Sequence, residues 1–188
     1  IPMLYVGGND GMLHGFNALT GVEVFAFVPA AVVDERLRSY ADPDYEHLYF
    51  VDGELTVAEI YDNAWKTVLV GTLGRGGRGV FALDVTDPSN ISLFWEKTAD
   101  DIPNMGNLLG KPIIAEVGPD SDWRVVLGNG PNGDDDSAHL ITISLIDGSV
   151  STRATSVSGN NGLSAPLVWD SDKDGLFETV YAGDLKGN

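Results

Sequence analysis

One short pattern occurs four times in this chain and limits its fold more than any other feature. A run of strand-forming residues closes on a glycine at Leu4-Tyr5-Val6-Gly7, Val68-Leu69-Val70-Gly71, Val125-Val126-Leu127-Gly128 and Val180-Tyr181-Ala182-Gly183. The closing glycines stand 64, 57 and 55 residues apart. Upstream of the last three lies another apolar run (Val57 to Tyr61, Ile113 to Val117, Ala165 to Trp169), joined to its partner by an acidic or Asn-bearing turn. Downstream of the first three comes a third strand: Leu13 to Ala18, Val80 to Val85 and Leu140 to Ile146. A fourth follows as Glu23 to Val28, Ile91 to Lys97 and Ser149 to Thr155. The connections are rich in Gly, Asp, Asn and Pro, which suit tight turns between strands. The chain therefore reads as all-β.

Four short antiparallel strands repeated in tandem are the pattern of a β-propeller, each unit being one blade. A β-sandwich of consecutive hairpins is the competing arrangement. The first unit lacks its opening strand and the last stops after its second, giving two whole blades and two partial ones. Propellers close with roughly four to eight blades. The expectation is an incomplete ring, residues 1–188 being part of a single propeller domain of a longer protein. One short inserted helix is predicted: Pro29 suits a first turn, Val33, Leu37 and Tyr40 recur at helical spacing, and Pro43 ends it. Its expected role is to cover a sheet edge.

Charge narrows the partners. Acids outnumber bases 28 to 11, a formal charge of −17. Nucleic acids and anionic membranes both select a basic footprint, so the balance disfavours them and suits a cation. Cysteine is absent, which removes disulfides, thiol nucleophiles and cysteine metal clusters together. No apolar run approaches the roughly 18 residues of a transmembrane helix.

The sharpest local signal is Asp170-Ser171-Asp172-Lys173-Asp174-Gly175-Leu176-Phe177-Glu178. Carboxylates at positions 1, 3, 5 and 9 wrap alternate side chains around one point, and calcium takes six to eight oxygen ligands at roughly 2.3–2.6 Å. Gly175 permits the sharp turn, and the Leu176 carbonyl supplies the position-7 oxygen, as in an EF-hand loop. The expected ligands of Ca2+ are thus Asp170, Asp172, Asp174, Leu176 and Glu178. Position 12 is Tyr181, where an EF-hand has a bidentate Glu, and the flanks read as strands. Magnesium fits less well because it demands octahedral geometry and keeps its waters. The alternative is an acidic turn that is merely solvated. Asp62-Asn63 and Asp120-Ser121-Asp122 occupy the same place in earlier units without the full set, and Asp134-Asp135-Asp136 reads as a solvated charged loop.

Catalytic signals are weak. His14, His47 and His139 are scattered, show no paired metal spacing and read as packing histidines at or within strands. The glycine-rich run Gly71 to Gly79 lacks the following helix of a phosphate cradle and reads as a flexible turn. Asn90-Ile91-Ser92 is a glycosylation triplet too short to carry weight. No catalytic residue and no enzyme activity is expected.

The order of these segments resembles a known family. Leu4-Tyr5-Val6-Gly7-Gly8-Asn9-Asp10-Gly11-Met12-Leu13-His14-Gly15-Phe16-Asn17-Ala18 looks like the opening of the C-terminal propeller of PilY/PilC-type pilus proteins. Phe50 to Glu54, Trp65 to Gly71, Gly79 to Thr86 and the 170–178 loop continue the likeness almost end to end. The resemblance implies type IV pilus biogenesis and adhesion at the pilus tip or outer surface of a Gram-negative bacterium. Pilins, minor pilins and a host-cell surface would be the partners. It also implies a non-enzymatic propeller whose calcium loop, at residues 170–178, regulates pilus extension against retraction. Glu178 stands where the family pattern has Asp. Two other classes stay open: a quinone-cofactor-dependent dehydrogenase propeller, which needs a complete ring, and an integrin-type surface propeller, which repeats the acidic loop in several blades.

Overall fold

The computed structural model of the chain describes residues 1–33, 35–117 and 122–188. Four antiparallel sheets follow one another, each running in chain order. The first holds β1 (Met3–Gly7), β2 (Leu13–Asn17) and β3 (Glu23–Phe27). The second holds β4 (Leu55–Asp62), β5 (Ala64–Thr72), β6 (Gly79–Asp84) and β7 (Ser92–Thr98). The third holds β8 (Ile113–Val117), β9 (Asp122–Gly128), β10 (Ser137–Ser144) and β11 (Val150–Ser158). The last is the hairpin β12 (Leu167–Trp169) and β13 (Thr179–Tyr181). Val68–Gly71 and Val125–Gly128 lie in different sheets, as a bladed architecture requires.

Successive side chains of a strand point to opposite faces, and the second sheet uses both. Leu69, Phe81 and Leu83 face the first sheet, packing with Leu13 and the half-buried Phe25 and Phe27. Val68, Val70 and Ala82 face the third, with Val125, Leu127, Ile141 and Ile143. A strand buried on both faces needs no polar alternation. That is why Val68-Leu69-Val70 is uninterruptedly apolar. Trp95 locks the second core by donating its Nε1–H to the Leu145 carbonyl at 3.0 Å.

The repeat is one residue out of step in the second sheet. Gly8 N–H donates to Met12 O, Asn129 N–H to His139 O and Leu73 N–H to Gly79 O. By these equivalent bonds Gly7 and Gly128 correspond to Thr72 rather than to Gly71. A Cβ at Gly7 would collide with the Val51 carbonyl, and one at Gly128 with the Ser164 carbonyl. These glycines mark where the backbone arriving from the next unit crosses the sheet end.

Two expectations need correction. The predicted helix is three short turns, a 3₁₀ turn at Ala30–Val32, α1 (Glu35–Arg38) and a 3₁₀ turn at Ser39–Ala41. Pro29 is extended (φ −59°, ψ 134°) and precedes the first turn instead of entering it. The expected stripe fails because Val33 and Tyr40 are exposed, while Val32 and Leu37 make the core contacts. The segment does cover the sheets: Ala30 N–H donates to the Glu96 carboxylate at 2.8 Å and Arg36 to the Gly76 carbonyl at 3.0 Å. The Gly71 to Gly79 run is no loose turn either. Gly74–Gly76 form a 3₁₀ turn whose two glycines are buried while Arg75 is exposed, and a Cβ on Gly76 would strike the Phe50 backbone. Among the described residues no helix is long and apolar enough to cross a membrane.

Candidate metal centre

The β12–β13 hairpin carries the acidic loop. Leu167 pairs with Tyr181 and Trp169 with Thr179, so the segment between them must leave one strand and re-enter the other within the width of the hairpin. Two left-handed residues make that possible, Lys173 (φ +66°) and Gly175 (φ +96°). Short polar side chains complete the turn by accepting bonds from the main chain. Asp170 accepts from the N–H groups of Lys173 (2.5 Å) and Gly175 (2.9 Å). Asp172 accepts from Asp174 N–H at 3.3 Å, and Asp174 from Leu176 N–H at 2.8 Å. Glu178 reaches back to the N–H (2.9 Å) and hydroxyl (3.1 Å) of Ser171.

The result is a gathering of like charge. One carboxylate oxygen each from Asp170, Asp172, Asp174 and Glu178 lies within 4.8 Å of the others, Asp170 half-buried and the rest exposed. The donors are all hard oxygens, with no imidazole or thiolate, which fits a hard divalent cation and not a soft one. Tyr181 belongs to the paired strand, so the loop has no twelfth-position ligand of the EF-hand kind. The loop is also tied sideways, since Phe177 N–H donates to the Glu116 carbonyl of β8 at 3.0 Å.

The other acidic turns are spent on internal partners. Asp62 pairs with Lys66 Nζ at 2.6 Å, and Asp122 with Arg124 Nε at 2.6 Å. Asp120 and Ser121 lie outside the described residues. Asp134 pairs with Arg78 (2.5 Å) and Asp135 with His139 (2.8 Å), so this loop is fastened to its surroundings rather than simply solvated. Burial pushes the Asp135 carboxyl up, but the His139 hydrogen bond and charge and the Ser137 N–H outweigh it and leave the group below its ordinary value.

The acid–histidine pairs went unread in the sequence. His14 Nε2 lies 2.9 Å from Asp10, and His139 Nε2 2.8 Å from Asp135, both four residues apart across a turn. That spacing was the available signal. Both Nδ1 atoms are buried without a hydrogen bond. His47 is exposed, outside any strand, and stacks edge-on against Tyr49.

Comparison with known proteins settles the family. The family model described as the PilY1 beta-propeller domain matches residues 1–188. The chain belongs to the PilY1 propeller family. A type IV pilus biogenesis factor PilY1 homolog of Xylella fastidiosa (strain Temecula1) is 55% identical over 189 residues, spanning 100% of this chain and 15% of that protein. The type IV pilus biogenesis factor PilY1 of Pseudomonas aeruginosa (strain UCBPP-PA14) is 46% identical over 194 residues, again 100% of this chain and 17% of that protein. The crystal structure of the Pseudomonas aeruginosa PilY1 C-terminal domain superposes with a TM-score of 0.85 at 42% identity, covering 99% of this chain and 37% of the other. The chain thus spans about a sixth of the length of the Xylella and strain UCBPP-PA14 relatives, and its antiparallel sheets have the fold of a PilY1-type propeller.

Proposed function

We propose that this propeller serves type IV pilus biogenesis as a non-enzymatic, calcium-binding domain, and that its acidic loop regulates pilus extension against retraction. The observation that carries the proposal is the convergence of four carboxylates within 4.8 Å at one hairpin. The relatives' names supply the context: all are biogenesis factors. Asp170, Asp172, Asp174 and Glu178 would hold Ca2+ through their side chains and Leu176 through its carbonyl, with water completing the shell. The bound ion would supply two positive charges, letting the carboxylates stay together and tying the ends of β12 and β13. Pilus subunits are the partners this reading implies, at the cell surface or outside it, where calcium is plentiful. Filled and empty loops would differ by two charges on the surface those partners meet.

Titration calorimetry with calcium chloride and magnesium chloride tests the reading. Calcium is expected to bind with one-to-one stoichiometry, Asp174→Ala to lose at least tenfold in affinity, and Lys173→Ala to bind as the wild type does. Equal binding by all three proteins, or by none, overturns it. Loss of calcium-dependent extension in cells carrying Asp174→Ala tests the regulatory part; unchanged pilus behaviour would leave the loop structural.

A further inference from the structure

Asparagine precedes glycine three times, at Asn129-Gly130, Asn132-Gly133 and Asn161-Gly162. Such a pair is open to attack by its own backbone, because glycine has no side chain to shield its nitrogen or to restrict the chain. The fold treats the three pairs differently. Asn129 is fully buried. Its Nδ2 donates to the carbonyls of Asn104 (3.0 Å) and Ser137 (2.9 Å), and its Oδ1 accepts from the N–H groups of His139 and Leu163, both at 2.9 Å. Asn161 is buried as well. Its Nδ2 donates to the Val157 carbonyl (3.1 Å) and to Asp184 (2.9 Å), and its Oδ1 accepts from Gly162 N–H at 2.9 Å. Both amides are held at each end.

Asn132 is exposed, on the connection between β9 and β10, where no ladder has to open for the chain to bend. Its φ of +67° is one that Asn adopts more readily than other side chains. Among the described residues its amide makes one bond, from Nδ2 to the Asn107 Oδ1 at 2.9 Å. Nothing among them accepts the Gly133 N–H. Gly133 is buried, and packing fixes its identity. A Cβ there would lie 2.7 Å from the Asn104 carbonyl oxygen and 3.0 Å from Asn129 Nδ2. The turn favours Asn and the packing requires Gly, so a labile pair stands here for structural reasons.

We propose that Asn132 is a site of spontaneous deamidation, and that its product breaks a link between the second and third sheets. Hydroxide takes the Gly133 N–H proton, and the nitrogen attacks Asn132 Cγ. The N–Cγ bond forms, the Cγ–Nδ2 bond breaks, and ammonia leaves with a proton from water. A second water opens the cyclic imide at either carbonyl, giving aspartate or isoaspartate. The balance is amide plus water to carboxylate plus ammonium. The link at stake is a one-way chain of donors. Asn132 Nδ2 donates to Asn107 Oδ1 at 2.9 Å, and Asn107 Nδ2 donates to the Gly74 carbonyl of the β5–β6 turn at 3.0 Å. A carboxylate at 132 has no proton to give, so Asn107 Oδ1 would face another acceptor. Turning the Asn107 amide over would satisfy the carboxylate and set oxygen against the Gly74 carbonyl instead. The new charge also falls beside Asp134, Asp135 and Asp136, and like charges repel. The proposal stands apart from the metal reading.

Peptide mapping by mass spectrometry tests it, on the full-length protein aged in its folded state in mildly alkaline buffer. Asn132 is expected to exchange NH2 for OH at least about tenfold faster than Asn129 or Asn161, whose side-chain hydrogen bonds must break before either can close the ring. Aspartate and isoaspartate should both appear at 132. In denaturant the three rates should converge. No conversion at Asn132 in the folded protein, or equal rates at all three sites, overturns the proposal. So does a lead for Asn132 that persists unchanged in denaturant, which would assign the selectivity to neighbouring residues and not to the fold. Asn132→Asp installs one product directly and should lower the thermal midpoint; an unchanged midpoint overturns the loss of the link.

Discussion

The turn between β4 and β5 and the loop between β12 and β13 occupy the same place in the repeat and solve the same problem differently. The first closes on the single residue Asn63, which is left-handed (φ +56°), with Asp62 neutralised by Lys66 on the neighbouring strand. The second spans nine residues from Asp170 to Glu178, and its carboxylates face one another with no basic partner in the cluster. One hairpin carries its own counter-ion as a side chain. Under the proposed function the other would take that charge from solution, and its state would depend on what the solution contains.

The largest test of that contrast is calcium itself. At free calcium about 100 times the dissociation constant, linkage adds roughly 2.7 kcal/mol to stability. The thermal midpoint should rise on adding calcium and fall back with a chelator. Asp174→Ala should cut the response to about half or less, given its expected loss of at least tenfold in affinity, and Asp62→Ala leave it intact. A full-sized calcium response in Asp174→Ala would move the site elsewhere.

Next in size is the backbone of the loop. Gly175→Ala places a Cβ in open space, so nothing is struck, and the cost is that of the left-handed conformation, roughly 1–2 kcal/mol. Denaturant unfolding should show this loss without calcium. Calcium affinity should fall with it, because the same turn directs the Asp170 carboxylate. An unchanged midpoint would mean that the loop tolerates another path.

Lys66→Ala should be milder. The pair is partly exposed, so its removal costs on the order of 0.5–1 kcal/mol. It should create no calcium response at Asp62, because one carboxylate is not a site. Appearance of calcium binding in this variant would break the comparison.

The smallest effect concerns acid. The Asp184 carboxyl, just past β13, is held down at about 2 by the side-chain amide of Asn161, then by the N–H groups of Asn188 and Lys186. A depressed carboxylate stabilises the fold above its unfolded value, near 3.9. That contribution disappears as pH falls through the folded value. Stability of the wild type should therefore decline between about pH 4 and 2 more than that of Asp184→Asn, measured by unfolding at each pH. Parallel curves would remove Asp184 from the account.

Much of this was legible because the signals are local. Val68-Leu69-Val70 announces a strand buried on both faces, and the 1-3-5-9 spacing announces side chains that converge. What escaped notice depended on distant partners. Gly71 matches the other closing glycines by eye, but hydrogen bonding places Thr72 in their position, and only the strand pairing shows it. Val33 and Tyr40 fit a helical stripe, while the core accepts Val32 and Leu37 because the sheets fix where the segment must touch. The glycines near Gly76 suggest freedom in one dimension; in three, the Phe50 backbone fills the space a side chain would need. Asp135 and His139 read as isolated polar residues until the loop folds them together.

The bond from Phe177 N–H to the Glu116 carbonyl ties the acidic loop to the sheet beside it using main-chain atoms alone. Such a tie is blind to side-chain identity. Sequence drift at either residue leaves it standing, with proline at 177 the one exception, since proline has no N–H to give. Relatives can therefore vary the exterior of both elements while the loop stays yoked to its neighbour, and only a displacement of the backbone uncouples them.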